Sequence, residues 1–235
     1  MTNSTTPSIG VILSGAGHKD GSELHESVLV LLSLAQLGVP STIYAPDIKL
    51  AEIDHVTGLP TGAERSVLKE SARIARGQIK DLARAQGTDH EGWILPGGAG
   101  AVNNLSDFAA RGANAVVTKE VNRVLREAFA ARIPVGACCI APMVVALVAK
   151  ASSRRLRLTI GNDAELIRTL EGMGHVHIPV GAEDIVIDGD RKVVTTPAYM
   201  FDASIDAVAR GIHKMVKQVC DWSREELSAP RNVPR

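Results

Sequence analysis

Aromatic side chains are scarce in this chain of 235 residues: three Phe, two Trp and two Tyr make up 3% of it. So few rings leave little to stack on bases or sugars. An excess of one charge is also missing, because 26 basic side chains meet 26 acidic ones. Without a basic excess, neither a nucleic-acid footprint nor a membrane-surface patch is expected. No apolar run approaches the length that spans a bilayer. Residues 1–8, rich in Ser and Thr, lack the basic and apolar regions of a secretory signal. There are three cysteines, Cys138, Cys139 and Cys220. Their odd count, the adjacency of two and the lack of C-x-x-C spacing argue against a disulfide framework or a structural zinc. Reduced thiols in a cytoplasmic protein are expected instead.

What is present is an alternation of short apolar runs with helical periodicity. Residues 9–13, 42–45, 93–95, 133–137, 156–160, 185–187 and 193–195 read as strands. Residues 22–37, 63–75, 118–131, 142–150 and 202–220 read as helices. The alternation predicts an α/β fold with a mostly parallel sheet and helices on both faces. Gly189-Asp190 suggests one antiparallel hairpin. Ser22 is the expected N-cap of the first helix and Gly38 its stop. With no repeat and no long Ser/Gly linker, one domain is expected over residues 9–222, between a flexible N-terminus (1–8) and a loose tail (223–235).

Three turns at carboxyl ends of strands, after Leu13, Leu95 and Ala137, are where ligands meet such sheets. The last is the most informative. A nucleophile elbow needs small residues two before and two after the nucleophile. Cys139 has Ala137 and Ala141 there, whereas Cys138 would have Gly136 and the branched Ile140. Pro142 suits the first turn of a following helix. The spacing therefore selects Cys139, its sulfur near a helix N-terminus that favours the thiolate. Cys138 is expected to point the opposite way into the core, and Cys220 to pack.

A thiol nucleophile needs an acid or base partner. Glu23 and Glu26 lie three apart on a stripe of the first helix that continues to Val30, Ser33 and Leu37. On Glu23, an acid complementing the helix dipole is the simpler reading. For Glu26 the spacing leaves open whether it does the same or is a partly buried proton shuttle. Gly15-Ala16-Gly17 after the first strand mimics a dinucleotide-binding turn, but its third glycine, Gly21, comes one position late. A segment at 47–62 has no predictable course.

Several separated segments then match one family in order: Ile9-Gly10-Val11-Ile12-Leu13-Ser14-Gly15, Asp20-Gly21-Ser22-Glu23-Leu24-His25-Glu26, Leu95-Pro96-Gly97-Gly98, Asn103-Asn104-Leu105-Ser106, Cys139-Ile140-Ala141-Pro142, Leu158-Thr159-Ile160-Gly161 and Val194-Thr195-Thr196-Pro197-Ala198-Tyr199-Met200. On these the chain resembles the ElbB family of glyoxalase-like, isoprenoid-biosynthesis-associated proteins in the ThiJ/PfpI superfamily. The resemblance implies a flavodoxin-like three-layer sandwich similar to class I glutamine amidotransferases, usually a homodimer. It implies a cofactor-free, glutathione-independent lyase that converts a small aldehyde, glyoxal or methylglyoxal, to the hydroxy acid. Cys139 would be the nucleophile, Glu26 the assisting glutamate, and the backbone N–H groups of Gly98 and Ile140 an oxyanion hole. Many members carry a histidine after the strand that follows the elbow helix, where this chain reads Leu158-Thr159-Ile160-Gly161-Asn162. His177 is the nearest substitute, Glu23 a further candidate, and His18 and His25 are placed to line a pocket. The rival expectation is a reactive-thiol oxidant sensor or accessory binding protein with little turnover.

Overall fold

A computed structural model describes residues 6–228. The chain opens with strand β1 (Ile9–Ile12), helix α1 (Leu24–Gln36) and strand β2 (Ser41–Ala45). A ribbon of β3 (Lys49–Ile53) and β4 (Pro60–Ser66) precedes α2 (Val67–Ile74), β5 (Ile79–Asp81) and β6 (Gly92–Leu95). Two short helices, α3 (Ala99–Asn103) and α4 (Phe108–Arg111), lead to α5 (Lys119–Ala130), β7 (Val135–Cys138) and α6 (Pro142–Ala151). Strand β8 (Arg157–Leu158), α7 (Ala164–Gly172) and β9 (Val176–His177) follow, then β10 (Val186–Asp188), β11 (Val193–Thr196) and α8 (Ile205–Ser228).

Seven strands form the main sheet in the order β10-β11-β7-β6-β1-β2-β5. All pairs are parallel except β10 with β11. This is the expected α/β sandwich with a mostly parallel sheet and helices on both faces. The hairpin through Gly189-Asp190 is where the turn residues placed it. One apolar core gathers α3 to α7 on one face, and a second gathers α1 and α8 on the other. Helix α6 is buried from Pro142 to Ala149, which is why its sequence is apolar all round.

Four local expectations need correction. Residues 63–66 belong to β4, so the helix read from residue 63 begins at Val67, capped by the Ser66 hydroxyl. The run at 156–160 stays outside the main sheet and pairs as β8 with β9. Helix α8 continues six residues past Trp222 to Ser228, with Ser223 buried and its hydroxyl donating to Glu91 O at 2.7 Å. Residues 223–228, expected loose, are therefore helical. The expectations for residues 1–5 and 229–235 lie outside the described residues. Finally, Ser22 does not cap α1: Glu23 does, its carboxylate accepting from Glu26 N at 2.6 Å. Ser22 instead accepts from Ser14 N at 2.8 Å, tying the first loop to its own end.

The centre of the sheet rests on one close approach. Trp93 is fully buried, and its ring lies where a side chain on the neighbouring Gly10 would have to go. Gly10→Ala is expected to cost about 1–3 kcal/mol through overpacking. Gly189→Ala, with nothing near an added Cβ, should stay within about 0.5 kcal/mol. Urea unfolding of the two variants beside wild type checks the contrast; equal midpoints would contradict it.

Candidate active site

Strand β7 delivers the chain to Cys138, and α6 starts at Pro142; the three residues between make the elbow. Cys139 adopts a left-handed φ of 59°, a conformation that non-glycine residues rarely take and that clusters at functional sites. Its N–H donates to Thr196 O at 3.0 Å, which anchors the turn to β11. Ala137 and Ala141 are fully buried, as the crowding argument required. The backbone N–H groups of Gly98 and Ile140 both point at the Cys139 sulfur. Cys139 keeps 8% exposure and lies on the wall of a cleft.

The left-handed residue also reverses the strand's alternation. Cys138 does not point away: both cysteines sit in the core on the α1/α8 face, and Cys138 Sγ lies 3.5 Å from Glu26 Oε2. The opposite-facing Cys138 expected from strand periodicity is thereby corrected.

Glu26 itself is completely buried. Its Oε2 accepts from Gly97 N at 2.9 Å, its Oε1 from Tyr199 N at 3.4 Å, and the Cys139 side chain also hydrogen-bonds its carboxyl. Gly97 makes the approach feasible, because a Cβ there would stand 2.7 Å from Glu26 Oε2. Gly98, at φ 94°, makes the sharp turn into α3. Burial, and then the charge of Glu23, push the Glu26 carboxyl from 4.5 up to about 7, against the opposing pull of its hydrogen bonds. Burial and the nearby Glu26 carboxylate push the Cys139 thiol well above its ordinary value, with the Gly98 and Ile140 N–H groups opposing them. The lowered thiol pKa expected from the helix N-terminus is therefore not found. Carboxyl and thiol form one buried pair.

The cleft measures about 630 Å³, within the range of small-molecule sites. Val102, Ile140 and Met200 supply apolar wall, and Glu23, His18, His25 and Tyr199 supply polar edges. His18 and His25 thus line it as expected. The His25 ring shares a 2.9 Å hydrogen bond with the Tyr199 hydroxyl. The sequence carries one signal for Tyr199, its place in the Val194-to-Met200 segment. His177 does not line the cleft: it lies on β9, its ring held by the backbone of Gly161.

Residues 47–62 form β3, the turn after it and the first residues of β4. Ile53 N donates to Asp20 Oδ2 at 3.0 Å, and Arg65 pairs with that carboxylate, with Glu52 at 3.1 Å and with Glu70 at 2.9 Å. The ribbon reaches the cleft's edge, where His55 meets His18 edge-on at 5.1 Å. The Gly15-Ala16-Gly17 loop folds on itself, with Gly17 N donating to Ser22 O and Gly21 N to Gly17 O. N–H groups so used cannot cradle a pyrophosphate. Among the described residues, no three His, Cys, Asp or Glu side chains converge as metal ligands would, and none of their helices is long and apolar enough to cross a membrane.

No protein-family model matches the chain. It is 40% identical over 224 residues to the mitochondrial ES1 protein homolog of Rattus norvegicus, covering 91% of this chain and 83% of that protein. It is 39% identical over 224 residues to the mitochondrial glutamine amidotransferase-like class 1 domain-containing protein 3 of Homo sapiens, covering 91% and 82%. Among solved structures, an isoprenoid biosynthesis protein with an amidotransferase-like domain from Ehrlichia chaffeensis superposes with a TM-score of 0.85 at 33% identity, over 92% of this chain and 98% of that one. Drosophila melanogaster DJ-1beta shares the fold, with a TM-score of 0.56 at 14% identity over 95% and 96%. The mitochondrial relatives overturn the cytoplasmic expectation and point to mitochondria instead. Few, reduced cysteines report a redox environment and do not name a compartment.

Because Glu26 titrates near 7 when folded and near 4.5 in its ordinary state, the folded protein holds this proton more tightly. The group's contribution is fully present below pH 4.5 and is lost as pH rises through about 7. The difference amounts to roughly 3 kcal/mol by the free energy per pKa unit. Glu26→Gln should flatten this decline in thermal melts between pH 4.5 and 8; an unchanged slope would refute it.

Proposed function

Since the chain belongs to the family of ES1 and glutamine amidotransferase-like class 1 domain proteins, we propose that it is a cofactor-free glyoxalase-type enzyme of the ElbB kind, acting on glyoxal or methylglyoxal. One observation carries the reading: a buried carboxyl poised near neutrality, Glu26, is hydrogen-bonded to an elbow thiol that opens on a largely apolar cleft.

The chemistry follows from that pair. Cys139 passes its proton to the Glu26 carboxylate as the sulfur adds to the aldehyde carbon, so the raised thiol pKa is overcome only when substrate is present. The C=O electron pair moves onto oxygen, where the N–H groups of Gly98 and Ile140 receive it. Glu26 returns its proton to that oxygen, giving a hemithioacetal. As carboxylate again, it takes the C1 proton and delivers it to C2, while the hydroxyl proton passes to the neighbouring oxygen. Water then cleaves the thioester, releasing glycolate or lactate and the free thiol. A role for His177 finds no geometric support, and without a histidine paired to the thiol a glutaminase reading loses its base.

The dimer implied by the resemblance belongs to the same proposal. Leu24, Val28 and Leu32 repeat every four residues along one exposed stripe of α1, and we assign a second copy to it. Val28→Asp is then expected to convert dimer to monomer in size-exclusion chromatography with light scattering; wild-type protein running as a monomer would refute the assignment.

Activity is measured as acid product formed from glyoxal or methylglyoxal. Cys139→Ala should abolish turnover. Glu26→Gln should lower kcat by about 10²–10⁴-fold, and His177→Gln should leave it within a few fold. The wild-type rate should climb as pH rises through about 7, where Glu26 ionises. Turnover that survives Cys139→Ala would refute the mechanism.

A further inference from the structure

Cys138 has no part in the glyoxalase chemistry, yet it occupies an unusual position. It is fully buried, its sulfur is 3.5 Å from Glu26 Oε2, and the adjacent Cys139 hydrogen-bonds the same carboxyl. Two neighbouring residues in an extended strand would face opposite ways; the left-handed turn at Cys139 brings both thiols to one group. Their exposures differ in a useful sense. An oxidant entering the cleft reaches Cys139 first, while Cys138 waits behind it in the core.

We propose that Cys138 is the resolving thiol for Cys139, and that a peroxide, hydrogen peroxide or an organic hydroperoxide, converts the pair to a vicinal disulfide. In the first step the Cys139 sulfur attacks one peroxide oxygen. An S–O bond forms and the O–O bond breaks; the thiol proton, passed through Glu26, joins the leaving oxygen as water or an alcohol, and sulfur becomes a sulfenic acid. In the second step Cys138 gives its proton to Glu26 and attacks the Cys139 sulfur. The S–S bond forms, the S–O bond breaks, and the hydroxide leaves as water with the proton from Glu26. Two thiols and one peroxide thus yield one disulfide, one alcohol or water, and a further water. Consecutive Cα atoms lie about 3.8 Å apart, shorter than disulfides ordinarily span. The bond is accordingly strained and readily reduced, which suits a switch better than a staple. It also diverts Cys139 from irreversible sulfinic acid.

The inference shares the reactive Cys139 with the proposed function but does not depend on aldehyde turnover. Intact mass and peptide mapping after an excess of hydrogen peroxide, enough to carry a thiol to sulfinic acid, test it on the full chain. Wild type should become about 2 Da lighter, with the link mapped to Cys138–Cys139 and reversed by dithiothreitol. Cys138→Ala and Cys138→Ser should instead become about 32 Da heavier through sulfinic acid at Cys139. Glu26→Gln should close the bond at least about tenfold more slowly, as loss of a general base does. Wild type that reaches sulfinic acid as fast as Cys138→Ala, that stays unoxidised or that links to Cys220 would overturn the proposal; closure in Glu26→Gln at the wild-type rate would overturn the step through Glu26. Protein that loses about 2 Da but never turns over glyoxal refutes the function and leaves this inference standing.

Discussion

A carboxyl group shut away from water, Glu26, is the constraint that the neighbouring structure serves. An unpaired buried charge costs many kcal/mol, so the chain surrounds Glu26 with donors from segments far apart in sequence: Gly97 N–H, Tyr199 N–H and the two thiols of the elbow. These donors do not fully offset the lost hydration, and the remainder appears as a carboxyl titrating near 7. In the proposed chemistry the same deficit is an asset. A group half protonated at neutral pH both accepts and returns a proton.

Holding Glu26 there takes support from outside the cleft. The loop before α1 is closed by Ser14 and Ser22 and pinned by Asn104, whose side-chain amide donates to Ser14 O and Asp20 O at 2.8 Å each. Asp20, almost fully buried, ties this loop to Arg65 on the β3–β4 ribbon, and Arg65 reaches on to Glu52 and Glu70. Such shielded, shared pairs hold geometry better than exposed ones. Glycine at 97 and 98 then lets the opposite turn close onto α1 and the elbow.

Magnitudes explain why the thiol is not a resting thiolate despite its place before α6. A helix N-terminus is worth about 0.3–2 kcal/mol to an anion. A unit negative charge some 4 Å away is worth about 4 kcal/mol at an effective dielectric of 20. While Glu26 is ionised, its charge and the burial of the sulfur prevail. Above about pH 7 the pair therefore keeps one proton, on the thiol, and in the proposed reaction the nucleophile is generated as that proton moves to Glu26.

How much of this was readable without coordinates depends on the range of the interaction. The parallel strands, the antiparallel β10–β11 hairpin and the choice of Cys139 at the elbow followed from neighbouring residues, because apolar runs, turn residues and small-residue crowding act over a few positions. The β3–β4 ribbon escaped notice, since its exposed strands carry no apolar alternation and its position comes from Arg65 and Asp20, 45 residues apart. Glu26 was a candidate that its own helix could not decide. Its burial depends on Gly97, Tyr199 and the cysteines, 71 to 173 residues away. The same holds for the meeting of Cys139 with Cys138 at Glu26, which a single left-handed residue, Cys139 itself, brings about, and for the raised thiol pKa. The sequence by itself determined the sheet, the elbow and the cysteine that occupies it, because those rest on local sterics and periodicity. Only the tertiary structure decided which acid meets that thiol and which of them holds the proton, because desolvation and charge proximity exist only once distant segments are packed together.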